Sequence, residues 1–463
     1  MNSERQYIEL YTQARELICE HSCEAMNAER DAAFARFSES GFPTKKVERY
    51  KYTDIPQLFE PDYGLNLSRL DIPVDPYAAF RCDVPNLSTQ LYFVVNDGFY
   101  HSSRCEDSGK IIPKGHGGLP EGVVIGSLRE ALSADSPLAA HLAGYYNRLA
   151  GKDQAAVSDL NTMLAQDGLL VYVPRGVVVD KAVQVINILK GTGNRVPLMV
   201  NRRVLIVLEE QAEIKLLFCD HTADEGRFLA TQVIEAYVGD GARLDLYCME
   251  ETHLRNVRVS NVYIDQQRDS RVNHNVITLH NGVTRNKLDV TLSGEGAECR
   301  CYGCVIADQQ QHVDNNTLIT HKAEHCTSTE LYKYVLDDHA TGAFAGRVLV
   351  EPGAQKTVSQ MTNQNLTATR EARMYTQPML EIYADDVKCA HGSTVGQLND
   401  AALFYMRQRG IPLKEARLLL QNAFINEVID HMELEPLRDR LHYLVDKRFR
   451  GELNKCTGCK LCH

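Results

Sequence analysis

Apolar residues recur at helical spacing in the first part of the chain. Residues 3–38 are rich in Ala, Glu and Arg, and apolar positions three and four apart are typical of an amphipathic helix. The apolar positions are Leu10, Ala14, Leu17 and Ile18. Gly41 with Pro43 ends the pattern, which therefore predicts one long helix or a helical hairpin. The segment that follows mixes aromatic and basic residues, and we expect a packed loop in which Tyr50 and Tyr52 cover the next helix.

Helical spacing returns near the C-terminus. Asn399 or Asp400 can cap a helix that we expect to run to Arg409 and to end at Gly410. The next predicted helix carries a single apolar stripe, which has to pack either on the end of the preceding body or on a partner protein. The stripe consists of Ala416, Leu419, Leu420, Ala423, Phe424, Val428 and Met432. A further helix is predicted near residues 435–450.

The middle of the chain predicts strands. From residue 168 to about residue 387, short β-branched runs are broken by Gly, Asp and Asn. A turn followed by Ala and an alternating run recurs as EEQAEIKLL, GDGARLDLY, GEGAECRCY and EPGAQKTVS, with the alanines at 212, 242, 297 and 354. The second and third intervals between these alanines are each nearly twice the first, so they fit one and two units of a single period. Strands that recur on a fixed period predict stacked coils, a β-solenoid.

A sandwich or a barrel is the competing all-β fold. It is less favoured, because the strands of a sandwich need share no repeated pattern. Strict hexapeptide triplets are missing, so we do not expect the left-handed solenoid of hexapeptide-repeat transferases.

These patterns divide the chain into four expected parts. Residues 1–88 are expected to form an N-terminal helical domain, and residues 89–396 a β-helix core with a helical insertion near 128–166. Residues 397–454 are expected to form a C-terminal helical domain, and residues 455–463 a cysteine-rich tail.

Composition and charge exclude several classes of protein. The chain has 463 residues, 44% of them hydrophobic and 24% charged, with a net charge of -11 and a pI near 5.8. An acidic chain without long Lys/Arg runs is not expected to bind nucleic acid. The N-terminus is polar and no run of eighteen apolar residues occurs, so we expect a cytosolic protein without membrane association.

Cysteine usage and the absence of a phosphate-binding motif refine this picture. The chain contains 14 cysteines, which in a large protein without a signal peptide are expected to be reduced thiols, some of them metal ligands. No G-x-x-x-x-G-K-[ST] motif occurs, so this chain is not expected to bind or hydrolyse ATP by itself.

The stretch EIYADDVKCAHGSTVG holds the first candidate site. Cys389 and His391 lie two positions apart in a predicted strand, so their side chains point to the same side. A thiolate and a neutral imidazole that face one space can bind iron or zinc. The alternative is that Cys389 is a small buried hydrophobe and His391 an ordinary turn residue.

The last nine residues, KCTGCKLCH, hold the second candidate. Cys456, Cys459 and Cys462 are spaced so that three thiolates can converge on one metal ion or cluster. They resemble three quarters of the ferredoxin run C-x-x-C-x-x-C-x-x-x-C-P, but the fourth cysteine is missing. His463 or a residue elsewhere would have to complete the site, and the alternative is adventitious metal binding.

Other groups have more ordinary explanations. Among Cys299, Cys301 and Cys304 the first two are predicted to face the same side of a strand, and a buried structural role is favoured. A second group consists of His321, His325 and Cys326. Paired acids, Asp337 with Asp338 and Asp385 with Asp386, would suit a carbohydrate-active β-helix enzyme. The absence of Trp, which commonly binds sugar rings, does not favour that class.

Three stretches resemble the SufB/SufD family of iron–sulfur cluster assembly proteins. They are GFPTKKVERYKYTDI near the start, LNTMLAQDGLLVYVPRGVVVDKAVQV in the middle, and the run from Phe344 to Ile411, which is the most specific. The likeness extends over nearly the whole chain, and the KYTD stretch is closer to the SufD branch than to the SufB branch.

The resemblance implies a mainly β protein, a right-handed parallel β-helix flanked by N-terminal and C-terminal α-helical domains, which agrees with the repeats. It also implies a non-catalytic subunit of a cytosolic scaffold, in which a SufB paralogue and the ATPase SufC are partners. In the family SufC docks on the C-terminal helices, so the residues expected to meet it are Phe404, Arg409, Ala416, Leu420 and Phe424.

The family's interface histidine corresponds to His391, and the nearby family cysteine to Cys389. The resemblance therefore implies that both lie where the β-helices of two paralogues meet, and that His391 is a ligand of iron or of a transient nascent cluster. When isolated, the chain is expected to form a homodimer if the same edge pairs with itself. The tail departs from the family pattern and could bind an extra metal or cluster, and a standalone Fe–S redox protein using it is the main alternative function.

Overall fold

The computed structural model of the protein describes residues 3–76, 90–100, 118–153, 155–191 and 196–452. Its body consists of nineteen strands in the described residues. The strands are β1 Gln90–Val95, β2 Gly98–Phe99, β3 Val124–Ser127, β4 Leu169–Val173, β5 Val183–Leu189, β6 Leu198–Leu208, β7 Glu213–Thr222, β8 Phe228–Val238, β9 Arg243–Glu251, β10 Val257–Gln266, β11 Arg271–His280, β12 Val283–Leu292, β13 Glu298–Ala307, β14 His312–His321, β15 Thr327–Leu336, β16 Thr341–Val350, β17 Val358–Thr367, β18 Arg373–Ile382 and β19 Lys388–Gly396.

The strands form two sheets, and from β4 onward consecutive strands alternate between them. The even sheet has the order β18-β16-β14-β12-β10-β8-β6-β4-β3, and the odd sheet the order β19-β17-β15-β13-β11-β9-β7-β5-β1-β2. Neighbouring strands are parallel except at the far end, where β2 and β3 run antiparallel to β1 and β4. Each coil thus adds one strand to each sheet, and Thr327 of β15 pairs with Glu298 in the coil before it and Val358 in the coil after it. The predicted parallel β-helix is confirmed, and the sandwich and barrel alternatives are wrong.

The repeated alanines mark the turn that leads from the even sheet into the odd sheet. Ala212, Ala242 and Ala297 each precede an odd strand directly, and all three are buried. Ser270 and Cys326 occupy the same position in the intervening coils, where both are also buried. The gap from Ala242 to Ala297 therefore spans two units, because Ser270 fills the middle turn. The fourth predicted position differs, since Thr357 and not Ala354 directly precedes β17.

Inward-facing side chains of both sheets form the main core. On the odd strands the inward residues alternate with outward ones, as expected for strands. Gly303 of β13 faces inward, and a Cβ atom there would lie 2.0 Å from Cδ1 of Tyr332 on the neighbouring strand β15. The large inward tyrosine is accommodated because its in-register neighbour has no side chain.

The N-terminal helices cover the outer face of the even sheet. The helices up to residue 164 are α1 Ser3–Glu20, α2 Glu24–Ala28, α3 Arg30–Ser40, α4 Ile55–Phe59, α5 Leu128–Ala131, α6 Ala139–Leu142, α7 Arg148–Asp153 and α8 Ala156–Leu164. The first stretch is thus divided among three helices, as the hairpin alternative expects. Every residue of α8 is buried, because α8 lies between α3 and strands β6 and β8. Buried Arg30 donates hydrogen bonds to the carbonyls of Thr162, Met163 and Ala165 at 2.7–2.9 Å, which satisfies the end of α8.

The C-terminal helices pack on the outer face of the odd sheet. They are α9 Asp400–Gln408, α10 Leu413–Ile429 and α11 Glu435–Phe449. The predicted cap is confirmed, since the Asn399 side chain accepts hydrogen bonds from the Ala401 and Ala402 amides. The predicted stripe of α10 is divided between two environments. Val428 is buried against the odd sheet, whereas Leu419 is 41% exposed.

In the described residues, no helix combines the length and the apolar character needed to span a membrane.

Candidate functional site

The last coil of the solenoid ends in two strands that, within the described residues, each have a neighbour on one side only. Strand β18 pairs with β16, and β19 pairs with β17. We call these two strands the open end. Each leaves a row of backbone N–H and C=O groups available at its outer edge, which is a template for pairing with another chain.

Cys389 and His391 lie on β19 and share one face of it. In register they lie beside Ser359 and Met361 of β17, which are both buried and face the solenoid interior. Cys389 is half-buried against the main core and His391 is exposed. Burial raises the pKa of the Cys389 thiol, and a hydrogen bond with the Ser359 backbone partly offsets this. The predicted common orientation is thus supported by the register, and His391 belongs to a strand and not to a turn.

The open end supplies an incomplete ligand set. In the part of the chain that the structure describes, no three His, Cys, Asp or Glu side chains are placed to bind one metal ion. Cys389 and His391 contribute one sulfur and one nitrogen. Iron and zinc ordinarily take four or more ligands, so a metal or cluster held at this place would need further ligands from outside the described residues.

Two columns of inward-facing side chains, most of them polar or thiol groups, continue from these residues into the solenoid. Cys299, Ser328 and Ser359 stack in register and lead to Cys389, with the two serine hydroxyls 2.8 Å apart. Cys301, Glu330 and Met361 stack in the same way and lead to His391. The thiols of Cys299 and Cys301 are 3.5 Å apart. Polar and thiol side chains therefore lie inside the apolar core within three coils of the candidate site, although Met361, directly beside His391, is apolar.

Glu330 was not singled out by its sequence context. Both of its carboxylate oxygens are buried, and neither makes a hydrogen bond of ordinary geometry within the described residues. Burial raises its pKa to about 7, an effect that the nearby Thr317 hydroxyl reduces. Its position can be derived from the repeat, because Glu330 lies in register with His391, two coils earlier.

The other two candidate groups of cysteines and histidines do not each converge on one place. Cys304 faces outward under the C-terminal helices, whereas Cys299 and Cys301 face inward. His321 is buried, with Nε2 2.9 Å from the Ser328 hydroxyl, and burial lowers its pKa to about 4. His325 lies in an exposed turn with φ of 59°. Their proximity in sequence does not create a common site.

The tail candidates Cys456, Cys459 and Cys462 lie outside the described residues.

The five residues expected to meet an ATPase partner fall in different environments. Phe404 is 63% exposed on α9, and exposed Arg409 follows that helix and stacks on the Tyr405 ring at 4.9 Å. Leu420 and Phe424 are half-buried on α10, the latter beneath the Lys333 ammonium. Ala416 is fully buried, so it supports the packing of α10 and is not part of an exposed surface. Leu413 and Leu419, which were not among the five, are exposed apolar residues of α10.

Exposed apolar side chains also surround the open end. Tyr383 is 63% exposed and Val395 is 50% exposed, and Tyr375 and Ile382 of β18 are exposed as well. Exposed apolar side chains beside free strand edges are a common feature of surfaces that contact other proteins.

Comparison with known proteins gives a consistent result. Residues 189–424 match the family model of the SufBD core domain of the SUF system for FeS cluster assembly, and residues 1–185 match that of the SufBD protein N-terminal region. The chain is 27% identical over 427 residues to an iron–sulfur cluster assembly SufBD family protein of Synechocystis, covering 88% of this chain and 87% of that protein. It is 26% identical over 428 residues to iron–sulfur cluster assembly protein SufD of Escherichia coli, covering 89% and 90%. The chain is 24% identical over 300 residues to SufD of Bacillus subtilis, covering 64% of this chain and 68% of that protein.

Proposed function

The chain belongs to the SufBD family of iron–sulfur cluster assembly proteins, and from this premise we propose that it is a non-catalytic scaffold subunit whose open end meets a SufB-type subunit. Iron and the nascent cluster are the cargo of this scaffold. The SufC-type ATPase supplies ATP hydrolysis, and assembly takes place in the cytosol.

The observation that carries the proposal is the incomplete ligand set on β19, a strand with one free edge within the described residues. Cys389 and His391 offer two donors on β19, whose outer edge has no partner strand among the described residues. A related subunit that adds its own strand there would complete the backbone hydrogen bonds and bring further ligands to the same place. An iron site between two chains explains both the unpaired edge and the missing ligands.

Thiolate and imidazole act in this site as ligands and not as catalysts. A cysteine binds a metal as the thiolate, so loading of iron at Cys389 releases the thiol proton and weakens at low pH. Burial raises the pKa of the Cys389 thiol, which opposes formation of the thiolate. The metal or the partner subunit lowers this pKa again and so favours the thiolate as a ligand. His391 is the exposed ligand and is available first.

The apolar patch on α9 and α10 is the proposed contact for the ATPase. Phe404, Leu413 and Leu419 are exposed there. Helix α10 also packs on β13 and β15, and β15 is separated from β19 only by β17. Movement of α10 caused by the ATPase would therefore reach the open end through two strand pairs.

Replacement of His391 tests the proposal. In the complex with the SufB-type and SufC-type subunits, we expect His391→Ala to reduce cluster formation more than tenfold, while thermal stability and SufC binding stay unchanged, because His391 is exposed. Cluster formation is followed by visible absorption after anaerobic reconstitution.

The matched control is His339→Ala, since His339 is also exposed but lies in the turn between β15 and β16. We expect this control to form clusters as the wild type does. Cys389→Ala should have a smaller effect than His391→Ala, because thiolates of the partner can replace one sulfur ligand. Full activity of His391→Ala would remove His391 from the site.

A further inference from the structure

We propose that residues 44–54, which we call the outer strap, position the open end for its partner by bracing β18 from outside. This inference rests on the proposed function and adds a positioning element to the same surface. The strap lies between α3 and α4 in the sequence, yet its side chains reach four neighbouring strands of the even sheet.

The first half of the strap is anchored on inner strands. Arg49 donates hydrogen bonds to Asp289 of β12, at 2.6 and 3.3 Å, and to Oδ1 of Asn316 of β14 at 2.8 Å. The Arg49 carbonyl accepts a hydrogen bond from Arg285 at 2.6 Å. The side chains of Arg49 and Asp289 are both largely buried, so solvent screens their ion pair poorly. The strap is therefore held at two strands that lie well inside the sheet.

Small residues let the strap lie close to the third strand. Ala343 and Ala345 of β16 alternate with the inward residue Phe344, so they face outward, and both are nonetheless buried. Side chains of Glu48 and Arg49 lie with Ala345 around one small surface depression. The outer face of β16 is thus covered at Ala343 and Ala345.

At the fourth strand the strap reaches the free edge. The Tyr52 ring stacks on Tyr375 of β18 with centroids 4.9 Å apart and an angle of 17° between the rings. The Gln377 side-chain amide, also on β18, donates a hydrogen bond to Glu48 at 2.9 Å. The sequence predicts that Tyr50 and Tyr52 cover the next helix. Tyr50 is buried in one cluster with Ile55 and Phe59 of α4, whereas Tyr52 packs on β18 instead.

The contacts matter because β18, within the part of the chain that the structure describes, has a neighbour on one side only. Hydrogen bonds to β16 alone hold its backbone, and Pro378 in its middle has no N–H group to donate. A strand of this kind frays more readily than a strand with two neighbours. Tyr52 and Glu48 supply side-chain contacts from the solvent side, so they keep β18 ordered before a partner arrives. Ordering in advance reduces the entropy that association must offset.

The experiment compares Tyr52→Ala and Tyr52→Phe with the wild type in two measurements. The first is hydrogen exchange of the β18 peptide in the isolated chain. The second is the affinity for the SufB-type subunit of the same organism. We expect Tyr52→Ala to speed exchange in β18 and to weaken subunit binding, each about tenfold, which corresponds to the loss of one stacked aromatic pair. Tyr52→Phe retains the stacked ring and loses only the long hydrogen bond that the Tyr52 hydroxyl donates to Gln377 at 3.4 Å, so it should restore most of both values.

A stability-matched control separates positioning from general destabilisation. Met26→Ala weakens a neighbouring helical core, in which Met26 is fully buried and to which no residue of the strap belongs. It should leave β18 exchange and subunit affinity at wild-type values.

Each result has a distinct meaning. If Tyr52→Ala binds the SufB-type subunit as tightly as the wild type does, the strap inference is overturned and the proposed function stands. If the wild type does not bind that subunit, the proposed function is overturned. Equal β18 exchange in the wild type and Tyr52→Ala overturns the bracing, whatever the partner result.

Discussion

At the scale of single residues, the most unusual environment near the candidate site is that of Glu330. Its carboxyl group is enclosed by the solenoid interior, and burial raises its pKa to about 7. The unfolded chain loses this proton near pH 4.5, whereas the folded chain keeps it to about pH 7. Over that interval the folded state binds more protons, so the stability contributed by Glu330 is complete below pH 4.5 and is lost as the pH rises through 7.

Glu330→Gln replaces the carboxyl group by a neutral group of the same shape, so it removes this pH dependence. We expect the free energy of unfolding of the variant, relative to the wild type, to increase by about 3 kcal/mol between pH 4.5 and pH 8. Urea denaturation at a series of pH values measures it. Glu324→Gln is the control, because Glu324 is exposed. A parallel pH profile for the wild type and Glu330→Gln would show that Glu330 stays ionised in the folded protein.

At the scale of elements, the docking of α11 depends on one buried cation. The Arg448 guanidinium donates to the Leu279 carbonyl and to Asp308, each at 2.6 Å, and to Gln311 at 3.2 Å. Despite the burial of Asp308, this partner lowers its pKa. Arg448→Met would leave the Leu279 carbonyl and the Asp308 carboxylate without their partner. We expect the free energy of unfolding to fall by about 2–3 kcal/mol, measured by denaturation. Hydrogen exchange in α11 should become faster, measured by mass spectrometry.

Arg450 provides a matched control two positions later. It pairs with Glu415 and Asp446, and all three side chains are at least one-third exposed. Solvent screens such pairs, so Arg450→Met should cost less than about 1 kcal/mol. If Arg448→Met and Arg450→Met lowered the free energy of unfolding equally, α11 would be held by its apolar contacts alone.

The elements also show which features sequence patterns can predict. The turn alanines predicted the solenoid because each coil repeats the same local requirement for a small buried residue, which Ala212, Ala242 and Ala297 meet. Asn399 predicted the start of α9 because capping is local. The same locality explains the orientation of Cys389 and His391, which depends only on the alternation of a strand.

Contacts between distant segments were outside the reach of those patterns. Tyr52 lies near the start of the chain and Tyr375 near the end of the solenoid, and nothing in either local sequence predicts that they stack. The stripe on α10 was correctly predicted as apolar, but its period does not say which positions face the odd sheet. Ala416 proved to be buried and Leu419 exposed. Glu330 lies between these cases, since its position follows from the repeat once the register is known.

At the scale of the whole molecule, the two ends of the solenoid differ. The far end begins with the antiparallel strands β2 and β3, while the open end presents parallel strands whose outer edges lack a neighbour in the described chain. Exposed Tyr383 and Val395 lie beside those edges. Without another subunit, a second copy of the same chain is the available partner for such a surface, and a two-fold axis allows one edge to pair with its copy.

We therefore expect the isolated chain to be a dimer in sedimentation velocity, and Val395→Lys to shift it to the monomer. A lysine on an edge strand opposes pairing, because each dimer would bring two ammonium groups to one interface. Val178→Lys is the control, since Val178 has similar exposure and lies near the other end. A Val395→Lys dimer as stable as that of the wild type would place the self-contact on a different surface. A wild-type monomer would mean that the open end requires a non-identical strand, and only the heteromeric part of the proposal would then apply to it.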